Sequence, residues 1–213
     1  YKALKKRDEA VEAYETASQH APMYLEPLKK LSELYFDEDN LGEHLRYLEK
    51  LDSLSPLNIE RKVDIGGVHL DLGNSEKAES MFDSALAQAK RQANTYIEDI
   101  TRRIGDKYAQ KYPDKAEEYY RKALEAKGKR LGLEDIRTFN LLGLALRKQG
   151  KWLEAIEEYR KAQQISPRDE NIYYNMAMAF AEGKDFEKAY KSLLKVLNIN
   201  PDFYRQDATL AYN

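Results

Sequence analysis

The chain has 213 residues, 35 lysines and arginines against 37 aspartates and glutamates, a formal net charge of -2, 42% hydrophobic residues and no cysteine. Interspersed charge of nearly zero sum gives no general attraction to nucleic acid, and the missing cysteine removes disulfides, thiolate metal sites and a cysteine nucleophile together. No apolar run approaches the ~18 residues that a membrane span requires, so no membrane insertion is expected and the composition suits an amphipathic, all-helical protein.

Taken in chain order, residues 1–24 hold Ala10, Tyr14, Ala17 and Pro22 at the spacing of the second helix of a hairpin, with no first helix before it. Pro22 and Pro56 lie 34 residues apart and frame a hairpin over 25–58, with Leu28, Leu31, Ser32, Tyr35, Leu41, Leu48 and Leu51 in register and His44 where alanine is usual. The same frame over 59–92 gives Ile65, Gly66, Gly73, Ala78, Phe82 and Ala85, with Lys90 in place of the terminal proline. Residues 93–135 are an irregular hairpin with insertions, because Ala116 falls 38 residues after Ala78 and 39 before Ala155. In this stretch Ile104 occupies the site of a small residue and Gly105 follows it. Thr95 and Glu98 form a capping pair that favours a break near Asn94, and Asp114 with Glu117 repeats that logic after Pro113.

Over 136–169 come Phe139, Leu142, Gly143, Leu146, Gly150, Trp152, Ala155, Tyr159, Ala162 and Pro167. Over 170–203 the matching residues are Tyr173, Met176, Ala177, Phe180, Phe186, Ala189, Leu193, Val196 and Pro201, with Gly183 one place early for the turn. Phe139 and Tyr173, Trp152 and Phe186, Pro167 and Pro201 are each 34 apart. Residues 204–213 read as the start of a further helix or a cap, so both ends are expected to fall inside a repeat. Gly143 and Ala155 are small where two antiparallel helices approach, Trp152 and Tyr159 fill the space beside them, and Pro167 stops the second helix.

This pattern resembles the tetratricopeptide repeat (TPR) at nearly every defining position, most fully over 136–169. The resemblance implies an all-α fold, a right-handed α-solenoid of antiparallel helix hairpins, in which first helices line a concave groove and second helices cover the outer face. In the family, groove residues come from positions two, five, nine and twelve of the first helix, and asparagine near positions five and six bonds a ligand backbone. Carried onto this chain, that implicates Arg137, Asn140, Leu144 and Arg147, then Asn171, Tyr174, Asn175 and Met178, with Thr101, Arg102 and Tyr108 from the irregular hairpin. Upstream, the same positions are Glu60, Val63, Gly67 and Leu70, preceded by Glu26, Lys29, Glu33 and Phe36.

No phosphate loop, H-E-x-x-H or G-x-S-x-G is present, so no catalytic residue, cofactor or metal site is expected. His44 and His69, on neighbouring helices, make two ligands without a third. Glu117 with Glu118 and Glu157 with Glu158 have cations three or four residues away and read as solvated ion-pairing faces. Of sixteen tyrosines, Tyr14, Tyr35, Tyr120, Tyr159 and Tyr173 fall on packing positions. The expected function is a non-enzymatic, cytoplasmic protein-interaction scaffold that takes a peptide segment in its groove, with an acidic residue near Arg137 and Arg147 and an apolar one near Leu144, Tyr174 and Met178. The alternatives are self-association into a homo-oligomer through open repeat ends, or service as the regulatory arm of a larger enzyme or signalling protein.

Overall fold

The computed structural model describes residues 2–92, 96–128 and 131–203. Among the described residues there are eleven α-helices, one short 3-10 helix and no strand. They fall into two units, Tyr1–Ile100 and Thr101–Asn213. The first holds α1 (Lys2–His20), α2 (Leu25–Asp37), α3 (Leu41–Leu54), α4 (Ile59–Asp71), α5 (Ser75–Arg91) and the opening residues of α6 (Ile97–Tyr108). The second holds the rest of α6, then α7 (Pro113–Lys127), the 3-10 helix (Leu133–Asp135), α8 (Ile136–Lys148), α9 (Trp152–Ile165), α10 (Glu170–Glu182) and α11 (Phe186–Ile199). Consecutive helices pair as hairpins, α2 with α3 and α4 with α5 in the first unit, α8 with α9 and α10 with α11 in the second. Hairpin then packs on hairpin through α3 with α4 and through α9 with α10.

Each helix forms because its apolar residues recur at three- and four-residue steps and so share one face. That face is Ala78, Phe82, Ala85 and Ala89 in α5, and Ala155, Tyr159 and Ala162 in α9. Burial of a ring such as Phe82 contributes about 2 to 3 kcal/mol. At the hairpin crossings a glycine of the first helix receives a ring of the second. A Cβ added to Gly66 would lie 2.3 Å from Phe82, and one on Gly143 would lie 2.3 Å from Tyr159. In the irregular hairpin it is Gly105, not the expected Ile104, that takes this role, against Tyr120 at 2.7 Å. The register of α6 is therefore one residue later than the sequence frame assigned.

The turns inside the four regular hairpins use one left-handed residue each: Asp39 (φ 57°), Gly73 (φ 79°), Gly150 (φ 76°) and Lys184 (φ 61°). Side chains of Asn40, Asn58 and Asp185 then accept a main-chain N–H from the first turn of the following helix. At α7 the expected capping role of Asp114 is not taken, because Pro113 is the first helical residue and Tyr112 precedes it. The expected break near Asn94, the Thr95 cap and the further element over 204–213 lie outside the described residues; α5 ends at Arg91 and α6 begins at Ile97. No helix among the described residues is long and apolar enough to cross a membrane.

Candidate functional site

The start of α8 is pinned before the helix begins. Gly132 donates its main-chain N–H to the buried carboxylate of Asp135 at 2.7 Å, and Lys127 approaches the same carboxylate at 3.3 Å. At α10, Asp169 accepts the N–H of Asn171 at 2.9 Å. With both helix starts fixed, the 3.6-residue period sets Arg137, Asn140 and Leu144 along one face of α8. Opposite them stand Asn171 and Asn175 of α10, across a cleft of about 520 Å³. Five of the residues implied by the resemblance thus meet in one place. Leu133, Ile136, Leu141 and Asp169 also line it and were not anticipated, since position in the repeat frame carried no signal for them.

Two chemical features distinguish this cleft. The side-chain oxygen of Asn140 is enclosed and has no hydrogen-bond partner among the described residues, and an enclosed acceptor left unpaired costs about 1 to 3 kcal/mol. The side chain of Arg137 is 70% exposed and lies 3.8 Å from Asp106, which leaves most of its donor surface open. Amide, guanidinium and leucine groups together suit main-chain carbonyls and N–H groups beside an apolar side chain.

The remaining expected groove residues are placed elsewhere. Arg147 is only 15% exposed, and its Nε lies 3.0 and 3.1 Å from the two carboxylate oxygens of Glu182. It sits beside the buried Tyr159 hydroxyl, which burial pushes up to about 12 against the opposing influence of the guanidinium. This arginine is a structural partner and not a second receptor for acid, because its charge is already matched. Thr101 and Tyr108 are buried, Tyr108 stacking on Tyr119 at 5.4 Å between ring centroids, and Arg102 bonds Asp106 at 2.7 Å. The one-residue shift of α6 explains this, since it rotates every assigned position by about 100°. Tyr174 packs on Phe203 at 5.3 Å, and Met178 is half-buried outside the cleft lining. In the first unit Lys29, Glu33, Phe36 and Glu60 line a separate cleft, whereas Val63, Gly67 and Leu70 are core residues.

The paired glutamates also divide. Glu118 is a solvent-facing partner of Lys122, as expected, but Glu158 is 4% exposed and bonds Lys161 at 2.8 Å and Arg121 at 3.3 Å. Arg121 also bonds Glu117, which accepts from Gln149 and Lys151 at 2.9 Å each. This network ties α7 to α9 and to the turn after α8. Burial alone would raise the Glu117 carboxyl, but donation from Lys151, Arg121 and Gln149 outweighs it and holds the group below its ordinary value. Its position at a helix junction, not in a cleft, makes it structural. His69 is buried, and that burial lowers its affinity for a proton.

A family model described as "TPR repeat" matches residues 143–182, and one described as "Tetratricopeptide repeat" matches residues 108–130 and 170–203. The BBSome complex member BBS4 homolog of Drosophila melanogaster is 23% identical over 200 residues, covering 94% of this chain and 39% of that protein. The chain therefore spans about two fifths of that relative's length. Among solved structures, YrrB, described as a TPR protein with an unusual peptide-binding site, superposes with a TM-score of 0.55 at 22% identity, over 91% of this chain and 95% of that one. BtubC from P. vanneervenii superposes with a TM-score of 0.65 at 15% identity, over 94% of this chain and 90% of that one. At these identities the likeness is one of fold.

Proposed function

Because the chain is a tetratricopeptide-repeat protein, we propose that it acts as a non-enzymatic scaffold whose α8–α10 cleft holds a segment of a partner protein. The observation that carries this reading is the enclosed, unpaired side-chain oxygen of Asn140 in a cleft shared with Asn171, Asn175 and Arg137. With the Asn140 amide turned outward into the cleft, a main-chain N–H of a bound segment would satisfy its oxygen, Arg137 would meet an acidic side chain, and Leu144 would receive an apolar one. YrrB carries a peptide-binding site on the same fold, and the Drosophila relative is named as a member of a complex; both support a protein partner. The test places a photo-crosslinking residue at Leu144 and, separately, at the solvent-facing Glu157 of α9. Crosslinks to a captured partner are expected from Leu144 alone. Asn140→Ala with Asn175→Ala is expected to lower capture about fivefold. Crosslinks from Glu157 alone, or capture unchanged by the double substitution, overturn the reading.

A second reading, self-association, is favoured by one feature. Phe186, Tyr190, Leu194 and Leu197 form an exposed apolar row along α11. Light scattering over a concentration series would show a mass increase that Tyr190→Glu abolishes; a constant monomer mass ends it.

A further inference from the structure

Arg61, in the first turn of α4, is a buried cation, 8% exposed, with no carboxylate partner among the described residues. It donates Nη1 to the main-chain oxygens of Leu51 and Ser55 at 2.7 and 3.1 Å, closing the end of α3. Those bonds use one of its three nitrogens, so the hydrogens of Nε and Nη2, three donors of five, are left over. The adjoining Lys62, equally buried, is matched by Asp52 at 2.8 Å. Arg61 stands third in its hairpin, where the other regular hairpins bury Pro27, Thr138 and Ile172. Packing is thus met by a neutral residue at this place, and capping of α3 accounts for neither the enclosed charge nor the spare donors.

Ser55, whose carbonyl Arg61 holds, is followed by Pro56, and the chain has one other Ser-Pro step, Ser166 with Pro167. Both serines follow the last turn of a second helix with extended backbone, φ -142° and ψ 72° at Ser55, φ -129° and ψ 86° at Ser166. Both are half-buried, and the proline after each is exposed. Both carbonyls also accept the N–H three residues on, from Asn58 and Asp169, at 3.4 Å. The two turns differ in what faces them six residues later. A phosphate at the carbonyl end of a helix is repelled by that end unless a cation stands beside it. At Ser55 that cation is Arg61; at Ser166 the corresponding residue is Ile172.

We propose that Ser55 is a phosphorylation site whose phosphate is received by Arg61. A proline-directed protein kinase moves the γ-phosphoryl group of a nucleoside triphosphate onto Ser55 Oγ. The bond to the β-phosphate oxygen breaks, the hydroxyl proton leaves to solvent and a nucleoside diphosphate is released. The phosphate oxygens then accept from Nε and Nη2, which gives the buried guanidinium its counter-ion and fastens the α3–α4 junction. Glu60 and Asp64 line the same cleft as Arg61 and oppose a free anion, so the phosphate is held because it is tethered to the turn. The inference goes beyond the reading of the α8–α10 cleft and does not depend on it.

The test has two parts. Incubation of the chain with a proline-directed serine/threonine kinase and ATP, followed by peptide mass spectrometry, should place phosphate on Ser55. Phosphoserine is then installed at position 55 or, separately, at 166, and followed by phosphorus NMR over a pH series. The second ionisation at 55 should fall about one pH unit below that at 166, where the ~6 of an unpaired phosphoserine is expected. Arg61→Gln, which keeps an amide donor for the α3 carbonyls, should bring the two curves together. Ser55 left unmodified by the kinase, coincident curves in the unsubstituted chain, or an Arg61→Gln protein of parental helicity that keeps the difference each overturn the proposal. Inorganic phosphate that shifts the Arg61 Nε resonance as far as phosphorylation does would show an ordinary anion site and overturn it too. The comparison of 55 with 166 decides the matter if Arg61→Gln fails to fold.

Discussion

Trp152 lies against the backbone of Gly183: a Cβ at residue 183 would fall 2.6 Å from Cδ2 of the indole. Gly183 therefore does not serve the turn that follows it. Its φ is -76°, and Lys184 takes the left-handed conformation at φ 61°, where Gly150 stands at φ 76° one hairpin earlier. A residue with a Cβ in that region costs roughly 1 to 2 kcal/mol. Lys184→Gly is thus expected to stabilise the chain by about 0.5 to 1 kcal/mol, while Gly183→Ala destabilises it by about 1 to 2 kcal/mol through overpacking. Urea denaturation followed by circular dichroism reads both, and a less stable Lys184→Gly protein would refute the assignment.

The two arginines that look alike in the repeat frame should separate sharply on charge reversal. Arg147→Glu sets a carboxylate against Glu182 in a site of 15% exposure and should cost about 3 kcal/mol. Arg137→Glu, at 70% exposure, should stay within about 0.5 kcal/mol of the parent. Equal losses in denaturant titrations would contradict the placement of Arg147 inside the fold.

Acid should weaken the second unit through Glu117. Its carboxyl is held below the ordinary 4.5, so its contribution is fully present above that value and disappears as pH falls through the lower folded value. Glu117→Gln should reduce stability near neutral pH by about 1 to 2 kcal/mol and flatten the decline in Tm between about pH 5 and about pH 3. Glu118→Gln serves as the comparison: Lys122 also holds that carboxyl below its ordinary value, but at 47% exposure solvent screens the pair, so it should flatten the curve far less than Glu117→Gln. Parallel acid profiles for parent and Glu117→Gln would exclude the network as the cause.

The pattern of helices was legible because packing repeats the same residue types at fixed steps: Gly143 facing Tyr159, Ala155 and Ala162 at the crossing. Starts of α2 and α4, at Leu25 and Ile59, are 34 residues apart, as are those of α8 and α10, at Ile136 and Glu170. The cleft was legible in part, since Asn140 and Leu144 follow directly from helical phase. Arg147 was not, because it lies at the margin between faces and only Glu182, on a different hairpin, decides which way it points. Thr101 and Tyr108 were misplaced by a one-residue ambiguity between Ile104 and Gly105 that only the facing Tyr120 resolves. Glu158 escaped notice for a similar reason: near neighbours in the chain suggested solvent, while Arg121 of another helix encloses it.

Gly66 with Phe82, Gly105 with Tyr120 and Gly143 with Tyr159 each join a bare backbone to a ring. At the matching places in 25–58 and 170–203 stand Ser32 with Leu48 and Ala177 with Leu193. Where the first helix gains a side-chain atom or two, the second gives up an aromatic for an aliphatic, so combined bulk across the crossing stays nearly level. Drift at either position alone passes through a clash or a hole. Among descendants of such a chain, these positions should change as couples, and the short step between their members would then be a more durable trace of ancestry than the identity of either residue.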